Sequence, residues 1–94
     1  MKQKFRKFTM VRVSEEMPSY MSHFDCGFDA IVDGTYSQLY GGGDVKSYSL
    51  YVLSKDRKEI VNSVSWYEED QLTELPEQNR EKAEELVEKY NILN

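Results

Sequence analysis

The stretch K-S-Y-S-L-Y-V-L-S (46–54), K-D-R-K (55–58), E-I-V-N-S-V-S-W (59–66) decides the fold. In its first part Tyr48, Leu50 and Val52 alternate with Ser49, Tyr51 and Leu53, the period of two that a strand requires. The polar run 55–58 sits between two β-rich segments and reads as a hairpin turn, which makes 59–66 the partner strand. Upstream, F-D-A-I-V-D-G-T-Y (28–36) sets Phe28, Ala30 and Val32 on one side of a strand with Ile31 on the other, and K-F-T-M-V-R-V-S (7–14) alternates Thr9, Val11 and Val13 against Phe8, Met10 and Arg12. Between them lies a long excursion, 15–26, opened by Pro18, which lacks an N–H and holds Met17 extended. Residues 37–44 form a glycine-rich loop.

Downstream, 67–71 reads as one 3₁₀ turn and 72–75 as a last short strand. Five strands with no helix between them imply antiparallel pairing in a small barrel. Pro76 is an accepted first-turn residue and opens a terminal helix. Ala83, Leu86, Val87 and Tyr90 then make one apolar stripe, read as a lid on the barrel, with Asn91 as a stop. The fold class is mainly β (α+β), and the chain divides into a basic N-terminal extension (1–6), a barrel (7–75) and an acidic C-terminal helix (76–94).

Ninety-four residues make one domain with one modest core. The net charge of −5 hides an asymmetry: residues 1–12 carry five bases and no acid, 13–66 eight acids against four bases, and 67–94 nine acids against three. An acidic body argues against non-specific or stable nucleic-acid binding, which needs phosphate neutralisation by Lys and Arg. The basic start reads as a solvated strand edge protected by lysines. A single cysteine excludes an internal disulfide, and no apolar run approaches the length that spans a membrane. The expected location is cytoplasmic.

The pattern M-S-H-F-x-x-G-x-x-A-I-V (21–32), Y-G-G (40–42), S-Y-S-L-Y (47–51) and S-W-Y-E-E-D-Q-L (65–72) resembles a set of small, mostly uncharacterised proteins encoded by bacteriophages and prophages. The resemblance covers roughly residues 8–75 and implies an SH3-like barrel of five antiparallel strands. It also implies a counter-defence setting inside an infected bacterial host, either by sequestering a nucleotide signal or by plugging a host protein.

In such a barrel the long first loop, the second loop and the turn before the last strand converge on one rim. Those segments hold the candidate ligand-binding residues Tyr20, His23, Phe24, Tyr36, Tyr40, Gly41, Gly42, Gly43, Lys46, Trp66 and Tyr67. Exposed rings at Tyr20, Tyr36, Tyr40 and Tyr67 suit base stacking, worth about 1–3 kcal/mol each. Consecutive N–H groups at Gly41, Gly42 and Gly43, with Lys46 beside them, suit an anion, although they lack the phosphate-loop pattern; the plainer reading is a hairpin connection. Trp66 reads first as a core anchor against the 15–28 loop, and Cys26 as a buried thiol beside Gly27. His23 reads as a hydrogen bond that ties the loop down, or as a ligand contact.

Glu68, Glu69 and Asp70 read as a solvated face or as carboxylates favouring the short helical turn. One Cys and one His cannot close a zinc site without carboxylates, so neither metal nor cofactor is expected. No nucleophile, base and orienter come together, so the chain reads as no enzyme. The leading expectation is a counter-defence sponge that binds a cyclic-nucleotide or ADP-ribose type signal without turnover, with a homodimer or higher oligomer sharing each site. The alternative is a protein–protein inhibitor of a host defence protein that uses the aromatic rim and the acidic helix.

Overall fold

A period of two over segments rich in Val, Ile and Tyr yields five strands, and the computed structural model describes residues 4–35 and 47–93 of the chain. The strands are β1 (Met10–Val13), β2 (Asp29–Thr35), β3 (Ser47–Leu53), β4 (Ile60–Glu68) and β5 (Leu72–Glu74), followed by a helix, α1 (Arg80–Leu93). They form one antiparallel sheet in the order β4-β3-β2-β1-β5. Among the described residues β4 and β5 are its two margins, so the sheet is not closed into a barrel.

The basic start does not form a margin. β1 lies between β2 and β5, and the pairing extends beyond it through Phe8 N–H to Val32 O (2.8 Å) and Leu75 N–H to Met10 O (3.1 Å). Its cation Arg12 is engaged instead, Nε bonding Asp29 Oδ1 at 2.8 Å, while Arg57 Nε bonds Oδ2 at 2.6 Å. Burial works against the Asp29 charge, but the two guanidiniums outweigh it and hold the carboxyl below its ordinary range.

Both faces of β1, β2 and β3 are covered, which is why apolar side chains occupy both sides of those strands, while 61–63 of β4 stay exposed. On one face Val11, Val13, Ala30, Val32, Tyr48, Leu50, Tyr67 and Leu72 pack with Phe5 and Met21. The 14–28 excursion closes that face with Met17, Phe24 and Phe28. On the other, Met10, Ile31, Tyr51, Leu53 and Leu75 receive Ala83, Leu86 and Val87, so the helical stripe is a lid on the sheet.

The helix begins four residues later than Pro76. Asn79 is its cap, accepting from Lys82 N–H at 3.0 Å through its side chain and from Ala83 N–H at 3.0 Å through its carbonyl. Residues 76–79 serve the sheet instead, because the Gln78 carboxamide accepts from Met10 N–H (2.8 Å) and donates to Met10 O (2.7 Å) and Leu75 O (2.9 Å). The helix also continues through Asn91 to Leu93.

The predicted hairpin turn at 55–58 is present, with Arg57 at φ 60 and Asp56 Oδ1 accepting from Lys58 N–H at 3.0 Å. Beyond it β4 is irregular. Val64 faces Leu50 and Tyr67 faces Tyr48, so three steps on β4 match two on β3. This bulge places Trp66 at φ 76 and reverses the inward parity of every later position.

Candidate functional site

The bulge decides which aromatic faces solvent. Strict alternation from Val64 would bury Trp66 and expose Tyr67. Instead Trp66 is 53% exposed and Tyr67 2% exposed, the reverse of both expectations. Tyr67 is the anchor of the 14–28 loop: its ring meets Phe24 and Phe28 edge to face at 5.2 and 5.8 Å, and its hydroxyl donates to Asp25 O at 2.9 Å. Burial, with the Asp25 charge behind it, pushes the phenol up to about 12. Tyr67 therefore belongs to the core and offers no stacking face.

Tyr20 is where a rim residue should be. It lies in a 3₁₀ turn (Ser19–Met21) of the excursion and is 64% exposed. Its hydroxyl donates to Glu68 Oε2 at 2.6 Å, and that bond, with minor burial and the Glu68 charge, raises the phenol's pKa. Trp66 lies on the same strand, two residues before the Glu68 that holds Tyr20. His23 is exposed and rests edge-on against half-buried Phe24 at 4.6 Å, outside the core that Tyr67 organises.

The acids after β4 are more than a solvated face. Glu69 Oε2 accepts from the Tyr48 hydroxyl (2.7 Å) and from Lys4 N–H (3.2 Å), while Tyr48 Oη accepts from Phe5 N–H (3.2 Å). Burial first, and then Glu69, push the Tyr48 phenol up to about 12. This network fastens the N-terminal segment over the first core and buries Phe5, whose role the basic run around it concealed. The 3₁₀ turn itself is Glu69–Gln71, because Tyr67 and Glu68 still belong to β4.

Cys26 is exposed rather than buried, its Sγ 3.3 Å from Glu15 O. Gly27 next to it sits at φ 69, a conformation that favours glycine, and its N–H bonds Ser14 O at 2.9 Å. The predicted residues Tyr36, Tyr40, Gly41, Gly42, Gly43 and Lys46 lie outside the described residues. Two of the three predicted segments thus meet, the 14–28 loop and the end of β4, through Tyr20–Glu68 and Tyr67–Asp25.

Among the described residues no three His, Cys, Asp or Glu side chains gather as a metal would need, and Asp29 is taken by two arginines. No helix there is long and apolar enough to cross a membrane. No family model matches this chain, and comparison with curated proteins and with solved structures finds no match. Geometry and charge therefore carry the functional argument.

Proposed function

We propose that the chain is a non-catalytic binding module on an SH3-like sheet, and that its rim captures a protein segment rich in Lys or Arg. The strand connectivity supports the fold reading: β1 to β4 run as a meander, a 3₁₀ turn follows, and β5 returns to pair with β1. The observation that carries the binding reading is the Tyr20 hydroxyl on Glu68 at 2.6 Å, which fixes an exposed ring to the end of β4 in acidic surroundings, with Trp66 exposed on the same strand. Flat rings attract a guanidinium or ammonium, and Tyr and Trp are the side chains that dominate such contacts. Glu68, Asp70, Asp25, Glu15 and Glu16 on the same two segments favour a cationic partner and speed its approach.

The helix supplies less of this charge than its segment suggests. Of the nine acids in 67–94, four lie on α1 beside three bases, and Arg80 pairs with Glu84 at 3.4 Å. The acids nearest the rim precede it. In the setting that the phage resemblance implies, the partner is a host defence protein in the cytoplasm and the chain is a stoichiometric inhibitor. The competing outcome is sequestration of a nucleotide-like signal, which draws on Tyr36, Tyr40, Gly41, Gly42, Gly43 and Lys46.

Calorimetric titration separates the two. Arg- and Lys-rich peptides should bind, more weakly as salt rises, and Tyr20→Ala or Glu68→Gln should each weaken binding about tenfold, a loss of roughly 1.4 kcal/mol. Heat from cyclic dinucleotides or cyclic ADP-ribose-type ligands, with none from basic peptides, would overturn the reading.

A further inference from the structure

β4 is nine residues long and forms one margin of the sheet, whereas β5 at the other margin has three. Alternate N–H and C=O groups of a marginal strand point away from the sheet and will pair with any strand offered to them. From 60 to 67 β4 carries neither charge nor proline, so its protection against such pairing is its bulges and the Asn62 Oδ1 that accepts from Ser63 N–H at 2.8 Å, a local bond that an incoming strand would replace.

Among the described residues its flanks are also unfilled. On one face a groove of about 560 Å³ runs between β4 and the loop, lined by Phe24, Phe28, Val61 and Val64 among others. On the opposite face a groove of about 200 Å³ is lined by Ile60, Val61, Leu86, Tyr90 and Leu93 among others. Val61 borders both and is 55% exposed; Leu93 and Ile92, at the adjoining helix end, are 72% and 75% exposed. Among the described residues Ile60, Val64 and Tyr67 reach the covering layers while 61–63 of β4 stay exposed, leaving room there for the side chains of one more strand.

We propose that a second copy of this chain supplies that strand, β4 pairing antiparallel with its counterpart about a twofold axis near residues 61–64. Charge argues for a second copy. β4 is entered from a turn that carries Lys55 and Lys58 against Asp56 and Glu59, with Arg57 adding the excess positive charge of its cluster with Asp29 and Arg12, and it runs into Glu68, Glu69 and Asp70. Antiparallel pairing sets the basic entry of one copy beside the acidic exit of the other, whereas parallel pairing would stack acid on acid. The centre, V-N-S-V, brings no charge against itself. A twofold axis perpendicular to the sheet keeps both helices on the same face, so Ile92 and Leu93 of the two copies meet over the seam and leave water together.

The inference stands apart from the rim reading, and its test is the mass in solution. Sedimentation equilibrium of the full chain should give a dimer. Val61→Lys, at an exposed position, should weaken association about tenfold, and Val61→Lys with Leu93→Glu should weaken it further, with circular dichroism unchanged. In a Cys26→Ser background, Ser63→Cys should form a disulfide-linked dimer on mild oxidation, and Thr73→Cys on β5 should not. A monomeric wild type, a dimer unaffected by Val61→Lys, or crosslinking through position 73 in place of 63 would each overturn the proposal.

Discussion

Beneath the helix, Met10, Ile31, Leu53, Leu75, Ala83, Leu86 and Val87 make a largely aliphatic layer held by area removed from water. On the other side of the same sheet the layer is built around rings, Phe5, Phe24, Phe28, Tyr48 and Tyr67, with Val and Leu between them. The aliphatic layer includes the ring pair Tyr51 and Tyr90 at 5.8 Å, with the Tyr51 hydroxyl bonded to Asn91 and Asp33, whereas the aromatic layer sends its directed bonds into the flanking loops. Tyr67 reaches Asp25, and Tyr48 reaches Glu69, which also takes Lys4 N–H. On the helical side the directed bonds, Gln78 to Met10 and Leu75 and Tyr51 to Asn91 and Asp33, seat the helix and its connection rather than the 14–28 loop. The aromatic side joins the N-terminal segment, the excursion and the turn after β4, and it is there that Tyr20 is held.

The contrast can be broken most forcefully at Tyr67. Tyr67→Ala should cost about 3–5 kcal/mol and should release the 14–28 loop to proteolysis before the helix is cut. Leu86→Ala on the opposite face should cost toward the lower end of about 2–5 kcal/mol and leave peptide binding at the rim unchanged. Urea unfolding with limited proteolysis measures both. A Tyr67→Ala protein that still bound basic peptides would mean that the aromatic layer does not position the rim.

Alkali sharpens the comparison. Tyr48 and Tyr67 titrate near 12 in the folded chain against an ordinary 10.0. The folded state thus keeps protons that the unfolded chain has lost, so its stability is full below pH 10 and falls as pH rises through 12. Tyr48→Phe should cost about 1–2 kcal/mol at neutral pH, because Glu69 and the Phe5 N–H lose a partner, and should flatten the alkaline decline. Unfolding midpoints across that window test it. The smallest effect belongs to the bulge: with position 66 at φ 76, Trp66→Gly should be more stable than Trp66→Ala by about 1 kcal/mol.

Those same particulars explain what could be read from the chain. The five strands, the 55–58 turn and the stripe Ala83, Leu86, Val87 and Tyr90 are periodic features, and periodicity survives folding. The bulge at Trp66 is not periodic. One extra residue inverted the inward and outward assignments of Trp66 and Tyr67, and nothing in S-W-Y-E marks it, since Trp is a costly occupant of a left-handed position. Phe5 was hidden for a different reason: its burial comes from the distant Tyr48 hydroxyl and from Glu69, contacts that span 43 and 65 residues. Of the predicted rim, Tyr20 stands exposed at the junction of two segments, His23 is exposed against half-buried Phe24, and Tyr67 is withdrawn into the interior.

The Gln78 carboxamide offers an acceptor and a donor to Met10 just as a peptide group would, which makes a side chain serve as an extra rung of the ladder. The connection between sheet and helix therefore has a defined length, counted from Leu75 to Gln78. Cargo appended after the helix would leave that rung in place, whereas one residue inserted at Pro76 would pull the amide out of step and unseat the lid from its first turn.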